Sequence, residues 1–249
     1  MDLDPDLAAL RPLGGFFVLR TTTAAGGPDP RPLPTLADTY ETGTSDICRN
    51  ALTSRVATVA DRLRTSEPRV SASVTHQALA ARLWSVALGC AALYGRLPDL
   101  DPRLLRWDAA ASAPDDLWLT EIRPLPADAA TLADTVLEGH LVPLGAALHS
   151  RYGTAAGLLW GNAGSALAGA ARELHRWARA NARTDVAERA RALTSGLFAH
   201  PLLHATGALT GTAFRRRSCC LYYRVPGGGL CGDCCFTRPP RPSPRAPSG

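Results

Sequence analysis

Apolar residues recur at helical spacing over most of the chain after residue 50. Leu52, Val56, Val59 and Leu63 lie four, three and four residues apart, which predicts a helix that ends before Pro68. The clearest stripe follows: Leu79, Leu83, Val86, Cys90 and Leu93 share one face, and Gly95 supplies a stop. Cys90 on that stripe reads as plain core, and His76, three residues before Leu79, as a satisfied core or rim residue. Further helices are expected over residues 128–150, kinked at Pro143, over 154–182, and over 185–198 before the break at His200-Pro201. In the 154–182 helix Gly157, Gly161, Ser165 and Gly169 recur every four residues, a groove of small side chains on which another helix can pack. Asn162 shares a face with Leu158 and Ala166, and reads as a buried hydrogen-bonding residue, with substrate contact as the alternative.

Elsewhere the period breaks. Residues 15–19 read as one short strand, and 104–108 and 117–122 as two more around a turn at Ala113-Pro114-Asp115-Asp116. On this reading Asp115 and Asp116 are turn residues rather than a catalytic carboxylate pair. The most apolar run, residues 84–95, falls short of the roughly 20 residues that span a bilayer. The expected fold is mainly α: a helical domain over 1–210 with room for a small β element, then a short cysteine-rich segment over 211–237. A disordered tail of proline and arginine follows over 238–249.

Composition is that of an ordinary globular protein, with 46% hydrophobic and 20% charged residues. Charge changes the picture. The net value is +5 and all 27 basic residues are arginine, but residues 1–210 balance 20 arginines against 21 acids. Arginines 215, 216, 217, 224, 238, 241 and 245 face only Asp233 in the remainder. Basicity confined to one end argues against nucleic acid as the partner of the body. The acidic N-terminus has no basic region followed by an apolar one, so a cytoplasmic location is expected, with peripheral association at the inner membrane as a further option.

Cysteine is skewed to the same end, with Cys219, Cys220, Cys231, Cys234 and Cys235 there and only Cys48 and Cys90 elsewhere. Without an export signal, clustered cysteines read as metal ligands rather than disulfides. Cys231 and Cys234 form a C-x-x-C pair that can chelate one metal, and Gly232 and the 227–229 glycines make the fold-back cheap by permitting positive φ. Neighbouring side chains such as those of Cys219 and Cys220 point apart and are poorly arranged to grip a single zinc ion. A binuclear cluster offers two irons over a wider volume, so the set suits zinc or an iron–sulfur cluster and leans toward the cluster. Glycines 227, 229 and 232 fit G-x-G-x-x-G without the βαβ unit a dinucleotide site needs. The six histidines show no compact metal spacing, and Ser195-Gly196 lacks the context of a nucleophile elbow.

The C-C-x10-C-x2-C ending, preceded by arginines and containing Tyr-Tyr-Arg-Val-Pro-Gly-Gly-Gly-Leu-Cys-Gly-Asp-Cys, resembles the C-terminal signature of FhuF-type ferric siderophore reductases. Leu159-Trp160-Gly161-Asn162 resembles part of the helical domain that precedes it in that family. The resemblance implies a [2Fe–2S] cluster held by Cys219, Cys220, Cys231 and Cys234, with Cys235 left over. It also implies one-electron reduction of iron(III) in imported siderophores, of hydroxamate type. With no nicotinamide or flavin signature in the chain, the electrons are expected from a separate ferredoxin-like protein or flavoprotein. Arg215, Arg216, Arg217 and Arg224 would offset the cluster's negative charge, raise its potential and dock an acidic donor or an anionic siderophore. Alternatively they form a solvated basic face. Two other functions stay open: a zinc-stabilised binding module with a basic C-terminal face, and a siderophore-binding or iron–sulfur sensing protein that reduces nothing.

Overall fold

A capping box opens the first α-helix. The Thr35 hydroxyl accepts the Asp38 amide at 3.0 Å and the Asp38 carboxylate accepts the Thr35 amide at 3.0 Å, starting α1 (Leu36–Tyr40). In this computed structural model residues 2–5, 7–22, 33–41 and 46–240 are described, without side chains for 46–50. Cys48's side chain and the tail from 241 onward lie outside them.

Helix α2 (Asp46–Leu63) leads to α3 (Pro68–Tyr94), which starts on Pro68, where a missing N–H breaks no bond, and ends at Gly95 with φ 67°. α3 begins eleven residues before the stripe that predicts it and is buried almost all round, as a central helix must be. The helices α5 (Val142–Tyr152), α6 (Ala156–Ala180) and α7 (Thr184–Phe198) pack about it, α6 most extensively, while the short α4 (Ala129–Ala133) packs on α7. Cys90 is fully buried in this core, as expected.

Three small sheets decorate the bundle. β1 (Arg20–Thr21) runs parallel to β4 (Leu117–Leu119), which pairs antiparallel with β3 (Leu105–Trp107), Trp107 opposite Leu117. β2 (Arg96–Pro98) pairs antiparallel with β5 (Pro124–Pro126). The third sheet is the hairpin of β6 (Gly207–Thr210) and β7 (Ala213–Arg216), turning through Gly211 at φ 61°. It spans both sides of position 210, where the composition changes.

Three expectations are corrected. Residues 15–17 form a turn rather than a strand, because the Gly15 and Phe16 carbonyls bend inward to accept from the Arg82 guanidinium instead of pairing with a neighbour. The 128–150 helix is three pieces. Between α4 and α5 lies a π-helical stretch, Asp134–Leu141, and Pro143 sits in the first turn of α5, where it displaces no N–H, rather than kinking a continuous helix. At Gly161 and the neighbouring Gly164 the small-residue face of α6 does not receive another helix. A side chain at Gly161 would meet the Ser218 hydroxyl and the Arg216 guanidinium, and one at Gly164 the Thr206 and Phe214 side chains. The groove holds the C-terminal hairpin and the cysteine segment instead.

Candidate metal centre

The cysteine segment is seated by polar contacts from α3 and α6. The Ser73 hydroxyl donates to the Cys220 carbonyl at 2.8 Å, and Asn162 Nδ2 donates to the Ser73 carbonyl at 2.9 Å. Asn162 Oδ1 accepts Arg216 Nη2 at 2.6 Å, so this fully buried amide is structural. Inside the C-x-x-C loop the buried Asp233 accepts from the Ser165 hydroxyl at 2.6 Å and from Arg172 Nη1 at 3.3 Å. Its own carbonyl accepts the Arg216 amide. Gly161 and Asn162, read as part of a resemblance, thus form the receptor for this segment: the glycine gives room and the amide gives bonds.

The chain turns after the vicinal cysteines at Leu221, a non-glycine residue at φ 68°. That conformation is unfavourable for a branched side chain, and it brings the Leu221 amide to 3.2 Å from Cys219 Sγ. Of the glycines expected to relieve the fold-back, Gly227 has positive φ, at 72°. Gly232 does not use that freedom. Gly228 serves closeness instead, since a Cβ there would strike the Tyr222 and Val225 carbonyls.

The cysteines face one another. Cys231 donates its S–H to Cys220, which holds the Cys220 thiol below its ordinary value and pushes Cys231 up. The Tyr222 amide and Arg216 lower Cys220 further, against its burial. Burial raises Cys219, which lies within electrostatic reach of Cys220, Cys235 and Cys234. The Phe236 amide donates to Cys234 Sγ at 3.4 Å. Three of the four expected ligands therefore accept backbone N–H bonds. Among the described residues no three His, Cys, Asp or Glu side chains converge as ligands of one metal ion.

Arg216 decides whether the residues fit a charged cofactor. It is 3% exposed, and among the described residues its guanidinium bonds only neutral groups: Asn162 Oδ1, Gln77 Oε1, and the Leu158 and Ser218 carbonyls. Leaving a buried cation without a counter-charge costs several kcal/mol. A cluster bound by four thiolates supplies that counter-charge beside it, so the donor set and its surroundings fit an iron–sulfur group.

The four expected docking arginines divide. Arg216 is buried and unavailable for docking, a correction that follows from the β7 alternation which turns Phe214 and Arg216 inward and Arg215 outward. Arg224 is exposed but paired with Glu67, Nη2 to Oε2 at 2.8 Å. Arg215 and Arg217 are exposed, with Arg215 donating to the Cys235 carbonyl at 3.3 Å. Ser73, Gln77, Ser165, Arg172 and Asp233 escaped sequence reasoning. The signal available was Asp233, the one acid among seven arginines.

Two family models match this chain. The model of the FhuF 2Fe-2S C-terminal domain covers residues 216–236, the cysteine segment. That of the ferric iron reductase FhuF-like transporter covers residues 77–209, more than half of the chain. The chain belongs to the FhuF-like ferric iron reductase family. Its cofactor is a [2Fe–2S] cluster, where the cysteine spacing alone left zinc open. The longer match begins within α3 and ends in β6, and the shorter begins on Arg216, so the family's two parts meet at the hairpin. No curated protein gives a significant match. Among the described residues no helix is long and apolar enough to cross a membrane.

Proposed function

We propose that Cys219, Cys220, Cys231 and Cys234 hold the cluster, and that the protein passes one electron to iron(III) in imported hydroxamate-type siderophores. The observation that carries the assignment is Arg216, a buried guanidinium beside Cys220 and Cys231 whose partners among the described residues are all neutral. The cluster supplies a reversible one-electron couple at the protein surface. Siderophore oxygens are hard ligands that hold iron(III) far better than iron(II), so the gain of one electron labilises the chelate without a general base or nucleophile. An external ferredoxin-like protein or flavoprotein restores the electron, and the exposed Arg215 and Arg217 favour an acidic partner. The setting is the cytoplasm, close to the inner membrane through which the chelate arrives.

Anaerobically purified protein should contain about two irons and two acid-labile sulfides per chain. Mixed after reduction with a ferric trihydroxamate and an iron(II) chelator, it should yield the iron(II) complex. A colourless protein with stoichiometric zinc would overturn the cluster. A coloured protein that reduces no ferric siderophore would leave a sensor in place of an enzyme. Cys231→Ser should abolish the visible spectrum and Cys235→Ser should keep it; a normal cluster in Cys231→Ser overturns the ligand set.

A further inference from the structure

Two recesses adjoin beside the cysteine segment. The nearer, of about 360 Å³, is lined by Cys220 and Cys231 together with Gln77, Arg172, Tyr222 and Asp233. The second, of about 450 Å³, shares Gln77, Arg172 and Asp233 with it and runs past Gly169 to Phe17 and the exposed Phe16. Shared walls make them one trough, with thiols at its inner end and aromatic rings at its outer end. Their volumes lie within the range of about 300–1,000 Å³ usual for small-molecule sites.

We propose that this trough seats the ferric chelate, a placement that rests on the reductase reading above and adds where the substrate binds. Three features fit an oxygen-rich chelate of moderate size. The inner end is lined by two of the expected cluster ligands, so a chelate seated there lies beside the cluster. Arg172 borders both halves; among the described residues only its Nη1 is engaged, by Asp233 and the Thr212 carbonyl, while a guanidinium carries five N–H donors. Those donors suit the carbonyl and N–O oxygens on a chelate's surface, and the Phe16 end suits its hydrocarbon linkers. The larger recess of about 560 Å³ between α6, α7 and the hairpin tip is lined by no cysteine.

Gly169 offers a clean way to close the trough, because a Cβ there meets nothing within 4 Å. Gly157, on the same helix and exposed, also meets nothing and lines neither recess, so it serves as the control. The probe is the gallium(III) complex of a trihydroxamate, which keeps the charge and shape of the iron(III) complex but accepts no electron. Titrated calorimetrically into cluster-loaded protein, it should bind wild type and Gly157→Phe alike. Gly169→Phe should bind at least about tenfold more weakly with its visible spectrum unchanged, because the ring occupies the chelate's place. Arg172→Gln should weaken binding about fivefold through lost charge-assisted hydrogen bonds. Should Gly169→Phe lose its colour, Gly169→Gln takes its place with the same expectation. Equal binding by wild type and the Gly169 variant overturns the trough and leaves the reductase standing. Failure of wild type to bind either the gallium or the iron chelate overturns the reading on which the trough rests.

Discussion

Two arginines beside the central helix are buried to nearly the same degree, and they are balanced differently. Arg82, 1% exposed on α3, meets the Asp116 carboxylate at 2.8 Å and the carbonyls of Gly15 and Phe16. Arg216, 3% exposed on β7, meets an amide from Asn162, an amide from Gln77 and two carbonyls. The first site is electrically closed by the fold itself and ties the N-terminal turn and the 112–116 loop to the helix. Among the described residues no acid closes the second. On the proposed ligand set the difference marks where scaffold ends and cofactor environment begins: an acid balances one buried cation, and the cluster's thiolates would balance the other.

The largest effect is expected from breaking the closed site. Asp116→Asn keeps the shape and leaves Arg82 buried without a counter-charge, which should cost about 3–5 kcal/mol in denaturant unfolding. The folded fraction should keep its visible spectrum. A loss below about 1 kcal/mol would show that the carbonyls alone satisfy Arg82, and the contrast with Arg216 would lose its meaning.

Removing the second cation should act mainly through the cluster. A nearby positive charge favours the more negative reduced state, so Arg216→Gln should lower the midpoint potential by on the order of 60 mV, a tenfold change for one electron. Its stability penalty should be about 1–3 kcal/mol larger in loaded than in cluster-free protein, because only the loaded protein loses an ion pair. Equal penalties in the two forms would show that the guanidinium answers something other than the cluster.

How much of this was legible in the sequence follows from the same distinction. The helices with apolar stripes were readable because burial acts locally on each face: α2, α6 and α7 lie close to where the periodicity puts them, and α3 contains its stripe but starts eleven residues before it. The cysteine spacing was readable because chemistry fixes which residues bind a soft metal. What was not legible is contact between distant segments. Asp115-Asp116 reads as a turn and is one, yet nothing near it in sequence reveals that Asp116 pairs with a residue 34 positions away. Arg216 sits among three consecutive arginines, and only the pairing of β6 with β7 decides that the middle one turns inward. The π-helical stretch is opaque for a similar reason: its hydrogen bonds reach one residue further than those of an α-helix, a difference too small to change the apolar pattern over two turns.

Two buried histidines extend the contrast on a smaller scale. His140 belongs to the closed scaffold. Its Nε2–H donates to the Leu100 carbonyl at 2.6 Å and its Nδ1 accepts the Tyr40 hydroxyl at 2.9 Å, while burial pulls its pKa down to about 4. His76 lies toward the open site. Burial, aided by the charge on Arg216, takes it to about 3, and its Nδ1 has no hydrogen-bond partner. A depressed histidine is neutral in the fold and protonated in the unfolded chain below about pH 6.5, so stability falls as pH falls. Between pH 7.5 and 5.5 each should contribute a loss of about 1.4 kcal/mol. His140→Gln should shrink the measured pH dependence by that amount, with the cluster's own acid sensitivity cancelling in the difference. An unchanged slope would place the proton elsewhere.

The smallest effect is expected at Arg224, in the same segment as Arg216 but exposed. Its guanidinium pairs with Glu67 through two contacts, Nε to Oε1 at 3.0 Å and Nη2 to Oε2 at 2.8 Å, yet both side chains are more than two-fifths exposed. Water already solvates each charge, so Glu67→Gln should change stability by less than about 1 kcal/mol and less still at high salt. The midpoint potential should move far less than in Arg216→Gln, because a solvated charge is screened before it reaches the cluster. A shift in Glu67→Gln as large as that in Arg216→Gln would mean that burial is not what gives Arg216 its role, and that the arginines around the cysteines act as one undivided field.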